Sequence, residues 1–515
     1  MNHIELFSGC GGLSLGLESE GFELLMANEL SPMAAETFAY NHLGEDLSLG
    51  LDQNKRVFWI NSKFPRSDFK SRLREEPLIS EKIEVSDIAG LTGSNLIGSL
   101  LVGDIINLNK VLKSRSDLLD CLTKKEIDLV SGGPPCQSFS LAGLREKDSA
   151  KNQLPWEFAK FVNLTKPKIA LLENVSGILR AFNQDGVRYH AWFEIAKAFA
   201  GIGYAPICLH INAKYVGAAQ NRPRFILLAL RKDIAQKLSD YSGDALLERS
   251  LLEGNEFLRK VEKKRKISET DLRFFEVENN FELFSGPIFR SLISNANSIA
   301  TVKDAIGDLR GKRFKESGYV KTVNSIVDRK GKGDKWVNHE LRENSPKVQA
   351  RFRVYQILNS IGKASAKQVS SFLRNPDSSV LTAECIDELS KFQFLDITGE
   401  MRFFLTAPEL IEHLKKLQTK KQTQRALIPD QPAPAALSIP DDGCHWDIGQ
   451  TRTLTVREMA RIQSFPDWFV FRSKITTGGQ MRRFEVPQYT QVGNAVPPLL
   501  GKALGKVIRS ILNAV

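Results

Sequence analysis

Cysteines are few in this sequence, and they are not arranged as cross-links or metal ligands usually are. The chain of 515 residues contains six of them, and no two form a CxxC pair. Scattered cysteines argue against both a disulfide framework and a zinc site, and they fit a reducing compartment. We therefore expect a cytoplasmic protein without a bound metal. The cysteines are Cys10, Cys121, Cys136, Cys208, Cys385 and Cys444.

The sequence also lacks a secretion signal and long apolar runs. Residues 1–5 contain neither the basic region nor the apolar region of a signal peptide. No apolar run approaches the roughly 20 residues that a membrane span needs, so we expect no membrane partner. Hydrophobic residues at 42% and charged residues at 25% are ordinary for a globular protein. The length allows a large catalytic domain and at least one further domain.

Positive charge is in excess. The formal net charge is +11 at pH 7, which suggests a polyanionic partner, and nucleic acid is the commonest soluble one. Charge alone fits equally well with a basic enzyme that does not bind nucleic acid.

The first residues predict the opening unit of a nucleotide-binding α/β fold. Residues 3–7 are typical of a strand, Ser8 to Gly12 form a glycine-rich turn, and a helical pattern follows. Such a turn lets a ligand approach backbone amides at a helix N-terminus. A second strand at 22–27 leads to Glu29, which is placed to accept hydrogen bonds from ribose hydroxyls. The alternative for Glu29 is a surface residue at a helix start.

Further strands end in residues that are able to do chemistry. A strand at 99–105 carries Asp104, and the apolar run 126–130 leads into the stiff turn Gly133-Pro134-Pro135-Cys136. Ligands of open α/β sheets bind at the carboxyl ends of strands. A lone cysteine in a loop is more often structural than catalytic, so the role of Cys136 has to be inferred from the other candidate site residues of the chain. A strand at 168–172 precedes Glu173, and another at 224–230 follows Gln220-Asn221-Arg222-Pro223.

These segments, taken in order, resemble the C5 DNA cytosine methyltransferases. Residues 7–12 look like the cofactor loop of that family, 133–137 like its nucleophile loop, 173–175 like its ENV motif and 220–224 like its QxRxR motif. Residues 457–466 and 491–498 complete the ordered set. The resemblance covers about residues 1–230 and 450–515. Each motif is modest by itself, but the ordered set is very specific.

The resemblance implies an α/β fold with two domains. We expect a Rossmann-like, S-adenosylmethionine-dependent methyltransferase sheet with helices on both faces, and a smaller target-recognition domain. The catalytic domain would span 1–230, with a probable insertion on the periphery of the sheet at 44–96. The target-recognition region would span 231–450. Residues 451–515 would return to the catalytic domain, so trimming the chain after about 490 should abolish cofactor binding.

The resemblance also assigns the chemistry to particular residues. Cys136 would add to C6 of a cytosine flipped out of double-stranded DNA, and C5 would take the methyl group of S-adenosylmethionine. Glu173 would hold a proton at N3. Arg222 and Arg224 would hold the O2 edge of the base or a phosphate, with ordinary ion pairing as the alternative. The segment from Gln137 to Arg145 would close over the base.

Two larger sets of residues follow from the same resemblance. Glu29 would contact the ribose of the cofactor and Asp104 its adenine. The expected cofactor-binding residues are Phe7, Gly9, Gly11, Gly12, Glu29, Leu30, Asp104, Ile105, Pro134, Leu154, Asn494 and Ala495. The expected DNA contacts outside the catalytic group are Gln137, Ser140, Gln220 and Arg457.

The middle of the chain contains a candidate DNA-reading unit. Residues 348–417 show three helical patterns followed by a hairpin, which together suggest a winged helix-turn-helix. The same pattern also occurs in protein-contact modules. The basic run 259–266 suits either phosphate contacts or a solvated helix face.

We therefore expect a monomeric, sequence-specific DNA cytosine methyltransferase of a bacterium or phage. A cognate restriction endonuclease as a functional partner stays open, and so does the recognition sequence. One alternative is a transfer RNA cytosine methyltransferase of the same fold, although the CFT signature of those enzymes is absent from the sequence. The other alternative is a DNA-binding protein without catalysis, against which the intact Cys136, Glu173 and Arg224 argue.

Overall fold

A nine-stranded sheet forms the centre of the protein. The computed structural model describes residues 1–50, 55–76, 85–135, 153–184, 187–241, 243–329, 333–421, 423–435 and 443–515. The strands are β1 (Asn2–Leu6), β2 (Glu23–Glu29), β3 (Val57–Trp59), β4 (Ser99–Val102), β5 (Leu129–Gly132), β6 (Ile169–Val175), β7 (Phe182–Gln184), β8 (Val187–Tyr189), β9 (Tyr204–Asn212), β10 (Gln220–Asn221), β11 (Pro223–Arg231), β12 (Phe274–Glu276), β13 (Phe394–Leu395), β14 (Met401–Arg402), β15 (Arg425–Ala426), β16 (Ala433–Pro434) and β17 (Gly443–Cys444).

The helices vary from single turns to the long α10 and α19. They are α1 (Gly12–Glu18), α2 (Pro32–Phe38), α3 (Phe69–Arg72), α4 (Gly93–Leu96), α5 (Ile105–Ser114), α6 (Ser116–Thr123), α7 (Leu154–Thr165), α8 (Ala191–Gly201), α9 (Lys232–Lys237), α10 (Ala245–Glu262), α11 (Val302–Ile306), α12 (Gly318–Asn324), α13 (Pro346–Leu358), α14 (Lys363–Arg374), α15 (Ala383–Ser390), α16 (Ala407–Lys416), α17 (Val456–Ile462), α18 (Gln488–Asn494) and α19 (Pro498–Asn513). None of the described helices is long and apolar enough to cross a membrane.

The strand order explains why helices cover both faces of the sheet. The order is β12-β9-β11-β6-β5-β1-β2-β4-β3, and β11 runs antiparallel to both of its neighbours. The crossover from β1 to β2 moves along the sheet in one direction, and the crossover from β4 to β5 returns. Because both crossovers are expected to be right-handed, α1 lies on one face and α5 with α6 on the other. The packing agrees, since α5 contacts α7 while α1 contacts α19. The predicted fold class is confirmed.

The sheet extends beyond residue 230, where the sequence suggested a domain boundary. β12 pairs with β9, and α10 packs against β9 and α8. Apolar residues up to Leu292 therefore belong to the main core. The structure differs from the predicted boundary because β9 would otherwise be an open edge. At the opposite edge, β3 lies within the predicted insertion 44–96 and pairs with β4.

Three further apolar cores lie beyond the main one, and the smallest of them packs α2 and α3 against β3 and β4. Of the other two, the first joins residues 302–326 to residues 427–492 and includes Cys10 and Leu15 from the N-terminal unit. The second is built from α13 to α16 with Ala426 and Cys444. In it, α13, α14 and α15 precede the antiparallel hairpin of β13 and β14, which is the order of elements predicted for residues 348–417. We call residues 346–416 the helical module.

The C-terminal helix lies directly against the first helix. Gly16 of α1 and Gly501 of α19 allow a close approach, because a Cβ atom on Gly16 would lie 2.4 Å from the backbone nitrogen of Lys502. Side chains of α19 such as Leu504 and Ile508 are fully buried. The last segment of the chain is therefore part of the same core as the glycine-rich turn.

Candidate active site

The carboxyl ends of five parallel strands meet at one edge of the sheet. The pairing places Leu6 of β1 beside both Gly132 of β5 and Asn28 of β2. β6 and β4 continue the sheet on the two sides. The residues that follow these strands are thus neighbours in space although they are far apart in sequence. They are the turn 7–12, Glu29, Asp104, Gly133 with Pro134, and Glu173.

Glu29 holds the glycine-rich turn through its carboxylate. The backbone N–H of Gly9 donates to Oε2 and that of Ser31 donates to Oε1, both at 2.8 Å. Burial raises the pKa of Glu29, while these backbone donors oppose the increase. Each oxygen retains a lone pair that is able to accept a ligand hydroxyl. Gly9 has a φ of 54°, and no atom lies within 4 Å of the position that its Cβ would take.

The next two glycines of the turn are needed for close packing. Gly11 has a φ of 93°, and a Cβ atom there would lie 2.2 Å from Nε2 of His42. A Cβ atom on Gly12 would lie 2.2 Å from the carbonyl oxygen of Val496. The glycine-rich turn therefore contacts Val496, which directly follows the predicted cofactor residues Asn494, which is exposed, and Ala495, which is half-buried.

Asp104 lies at the N-terminus of α5. Its Oδ1 accepts a hydrogen bond of 2.9 Å from the backbone N–H of Ile106, while Oδ2 makes no hydrogen bond to the described residues. Burial raises the pKa of Asp104. Ile105 is 2% exposed, and Leu30 and Leu154 are half-buried. Ile105 thus belongs to the main core, and Phe7 and Leu154 pack against it.

The predicted nucleophile Cys136 lies outside the described residues, as do Gln137 and Ser140, so their roles stay predictions. The residues just before them are described. The side-chain amide of Asn174 donates to the carbonyl of Pro134 at 2.9 Å. A Cβ atom on Gly133 would lie 3.0 Å from Oε2 of Glu173. The loop that carries Cys136 therefore begins in contact with the ENV motif.

Glu173 forms a buried ion pair with Arg224. Nε of Arg224 lies 2.7 Å from Oε1 of Glu173, and the two side chains are 9% and 11% exposed. The antiparallel register explains the contact, because Glu173 pairs with Ile226 and Arg224 with Val175, which makes Glu173 and Arg224 diagonal neighbours. Burial lowers the pKa of Arg224 and the charge of Glu173 opposes this. Arg224 also donates to the carbonyl of Pro223.

Arg222 is predicted to contact a base or a phosphate, but the structure places its side chain in the protein interior. It is 2% exposed, and its Nη2 donates to the carbonyls of Gly493 at 3.0 Å and Ala495 at 2.9 Å. Burial, together with the charge of Arg224, lowers its pKa. Arg222 thus connects the QxRxR motif to the C-terminal segment that carries two predicted cofactor contacts.

The other two predicted DNA contacts are buried as well. Gln220 is fully buried, and its side-chain amide makes no hydrogen bond within the described part of the chain. Arg457 is fully buried and donates to the carbonyls of Val337, Pro466 and Phe469. Each of the three guanidinium nitrogens of Arg457 thus donates to a backbone carbonyl inside the protein, which argues against the predicted DNA contact.

Two residues at the site had no predicted role. Asn174 was part of a recognised motif, but a sequence does not reveal that its amide holds Pro134. His42 contacts the turn from 31 positions away in the chain, and no local pattern indicates that. Among the residues that the structure describes, no cluster of three or more His, Cys, Asp or Glu side chains is placed to hold a metal ion.

Comparison with known proteins gives a consistent result. The profile of the family described as C-5 cytosine-specific DNA methylase matches residues 1–69 and 103–510. The type II methyltransferase M.DdeI of Desulfomicrobium norvegicum is 25% identical over 515 residues, which cover 99% of this chain and 88% of that protein. The type II methyltransferase M.Bpa9945I of Bacillus paralicheniformis is 25% identical over 527 residues, covering 99% of each chain. Among solved structures, the Dnmt2 methyltransferase of S. pombe aligns with a TM-score of 0.39 at 14% identity, covering 100% of this chain and 98% of that chain.

Proposed function

The chain belongs to the C-5 cytosine-specific DNA methylase family, and we propose that it is the modification enzyme of a restriction–modification system, acting as a cytoplasmic monomer on double-stranded DNA at one short sequence. Its activity is that of a DNA cytosine-5 methyltransferase. The name type II methyltransferase, borne by relatives that align with 99% of the chain, supports the restriction–modification assignment.

One observation carries the assignment of the catalytic centre. Glu173, paired with Arg224 at 2.7 Å, adjoins Gly133 and Pro134, the residues that lead to Cys136. A nucleophile, a carboxyl group and a guanidinium group would thus meet at the carboxyl ends of β5 and β6 and the amino end of the antiparallel β11. This is the position at which open α/β sheets bind their ligands.

In the proposed reaction, the thiolate of Cys136 adds to C6 of a cytosine that has left the base stack. Attack at C6 moves an electron pair towards N3, and a proton held between N3 and Glu173 neutralises that charge. Since Oε1 of Glu173 is held by Arg224, we assign the proton to Oε2, the oxygen nearer Gly133. Once C5 has gained the methyl group, a base removes the C5 proton and the thiolate leaves, which restores the C5–C6 double bond.

The residues of the turn fit the methyl donor that we assign, S-adenosylmethionine. Bound there, it supplies an electrophilic methyl group. Glu29 would accept from the ribose hydroxyls, because its position is fixed by Gly9 and Ser31 while each oxygen keeps a lone pair. Oδ2 of Asp104 would accept from the adenine amino group. The space beside Gly9 would admit a ligand where any other residue would place a side chain.

We assign target recognition to the region that includes the helical module, but not to α15. In many winged helices the third helix contacts DNA. Here α15 carries Glu384, Asp387 and Glu388 within eight residues, and carboxylates are repelled by phosphates. In the basic run 259–266, Lys260 pairs with Glu256 and Asp271, so its charge is already balanced within the protein. Base contacts would therefore come from other parts of the region.

The test is expression in a host that lacks cytosine-C5 methylation, followed by bisulfite sequencing of its genome. We expect protected cytosines within one short motif and none with the variant Cys136→Ser. Protection without a sequence preference would refute the restriction–modification assignment. If soluble, cofactor-binding protein protected no DNA, the substrate would be wrong, and total RNA would be sequenced in the same way for the transfer RNA alternative. Protein that binds DNA but methylates neither DNA nor RNA would support the alternative of a DNA-binding protein without catalysis.

A further inference from the structure

A buried histidine contacts the glycine-rich turn at the carbonyl of Gly11. His42 belongs to the helical turn Ala39–Leu43 that follows α2, and its side chain is 4% exposed. Nε2 lies 3.0 Å from the Gly11 oxygen. The ring packs on Phe38, with 4.6 Å between ring centroids, and faces Phe469 edge-on at 6.1 Å. This apolar setting excludes water from the contact.

The geometry determines which atom is the donor. A carbonyl oxygen only accepts, so Nε2 of His42 must carry the hydrogen. The same oxygen also accepts from the backbone N–H of Leu15 at 3.0 Å, in the first turn of α1. Gly11, with its positive φ, is the residue just before that helix. His42 therefore donates a hydrogen bond to Gly11, the residue at which the glycine-rich turn passes into α1.

The opposite side of the imidazole faces a second acceptor. Nδ1 lies 3.6 Å from Oε2 of Glu18 in α1. Arg329 donates both to Oε1 of Glu18 and to the carbonyl of Asn41, the neighbour of His42. Burial tends to raise the pKa of Glu18, but His42 and Arg329 outweigh it and lower the pKa to about 2. Glu18 is thus ionised at neutral pH, and Arg329 ties it to the chain segment that carries His42.

We infer that His42 is a positioning residue for the cofactor: it holds the Gly11 carbonyl in the orientation that the turn needs in order to receive S-adenosylmethionine, and Arg329, bonded to Glu18 and to the Asn41 carbonyl, holds the segment that carries the imidazole. The inference rests on the proposed cofactor site. Arg329 lies after α12, in the segment that leads to the helical module. The shape of the cofactor turn therefore depends on a residue from the recognition half of the chain.

The test uses the full-length protein and S-adenosylhomocysteine as the probe, with binding measured by calorimetry. His42→Leu removes the donor but keeps an apolar side chain of similar size. Because a hydrogen bond of this kind changes an equilibrium roughly two- to twelvefold, and this one is buried, we expect affinity to fall by about tenfold. The methylation rate at saturating donor should change by less than about threefold. His42→Gln restores an N–H donor and should recover most of the affinity.

His190→Leu is the matched control. His190 is a half-buried histidine at the start of α8, and it also lies beside a glutamate, with Nε2 3.7 Å from Glu269. We expect the affinity of the His190→Leu variant for S-adenosylhomocysteine to match that of the unaltered protein. Wild-type affinity in His42→Leu would overturn the inference, and so would a His42→Gln variant as weak as His42→Leu. A loss of rate without a loss of affinity would overturn it too.

A second variant covers the case in which His42→Leu does not fold. Arg329→Met keeps the imidazole and removes the group that ties Glu18 to Asn41, so we expect a two- to fivefold loss of affinity and faster hydrogen exchange at the amides of residues 12–15. Unchanged affinity and exchange would overturn the role of Glu18 and Arg329. If the unaltered protein bound no probe at all, the proposed cofactor site would fail instead, which separates the two conclusions.

Discussion

Replacing Glu5 with glutamine should stabilise the protein at alkaline pH but not at mildly acidic pH. Glu5 lies in the middle of β1 and is 3% exposed. The hydroxyl of Ser14 in α1 donates to its Oε2. Burial raises the pKa of Glu5 to about 8, the charge of Glu29 adds to this, and Ser14 opposes it. The protonated carboxyl group and the amide of glutamine have nearly the same shape and the same lack of charge.

The sign and the size of the effect follow from proton linkage. In the folded protein Glu5 keeps its proton up to about pH 8, whereas in the unfolded chain it loses the proton near its ordinary value of 4.5. Between these values the folded state binds more protons, so stability is lost as the pH rises through this window and is constant above it. At 1.36 kcal/mol per pKa unit the loss is at most about 5 kcal/mol, and we expect roughly 2 to 4 kcal/mol. Glutamine loses nothing, because it does not titrate.

Urea denaturation at pH 5 and at pH 9 tests this expectation. The informative quantity is the free energy of unfolding of Glu5→Gln minus that of the unaltered protein at each pH, since other titrating groups cancel in the difference. It should be near zero at pH 5 and clearly positive at pH 9. Glu23→Gln, an exposed carboxylate on the adjacent β2, is the control and should show little change. A difference that stays constant between the two pH values would refute the reasoning.

The remaining predictions concern the catalytic edge of the sheet. Asn174→Ala removes the donor to the Pro134 carbonyl, so single-turnover methylation should slow by about tenfold while calorimetry finds the affinity for S-adenosylhomocysteine unchanged; a weakened affinity would contradict this role. Arg222→Met removes two bonds to residues 493–495, and the affinity for S-adenosylhomocysteine should fall by at least about tenfold, with little effect on the salt dependence of DNA binding. Arg224→Met should show the opposite pattern, which is a slower methyl transfer with the cofactor affinity retained. Identical behaviour of Arg222→Met and Arg224→Met would contradict the assignment of different roles to the two arginines.

The strands next to the site could be predicted from the sequence, because each is a continuous apolar run that is buried on both faces of the sheet. The run 168–172 is found as β6 at Ile169–Val175, and the run 224–230 is found as β11 at Pro223–Arg231. The meeting of their polar end residues then follows from sheet geometry alone. β9 was not predicted, although it lies next to β11. It contains Pro206, which usually argues against a strand inside a sheet, but β12 pairs with β9 only from Cys208 onwards, so the proline lies where one side of β9 is open.

Contacts that depend on the folded chain could not be predicted. Arg222 and its acceptor Ala495 are 273 positions apart, and Arg457 donates to Val337 across 120 positions. A sequence motif records that an arginine occurs, but not whether its five donors face a solvent-filled cleft or a buried carbonyl. A basic residue in a DNA-modifying enzyme was therefore assigned to DNA. For Arg457, burial and the backbone acceptors argue against a contact with DNA.

The two arginines of the QxRxR motif have different contacts, because Arg222 precedes β11 whereas Arg224 lies within it. Arg224 lies within β11, whose register with β6 makes it a diagonal neighbour of Glu173. Arg222 lies just before that strand, where it meets the C-terminal residues 493–495. Three consecutive residues thus join Glu173 to a segment that also contacts Gly12 of the glycine-rich turn. The stiff proline between the two arginines keeps these positions in a fixed relation. A carboxylate proposed to hold a proton on the base and a turn proposed to hold the methyl donor are therefore connected through one short stretch of backbone.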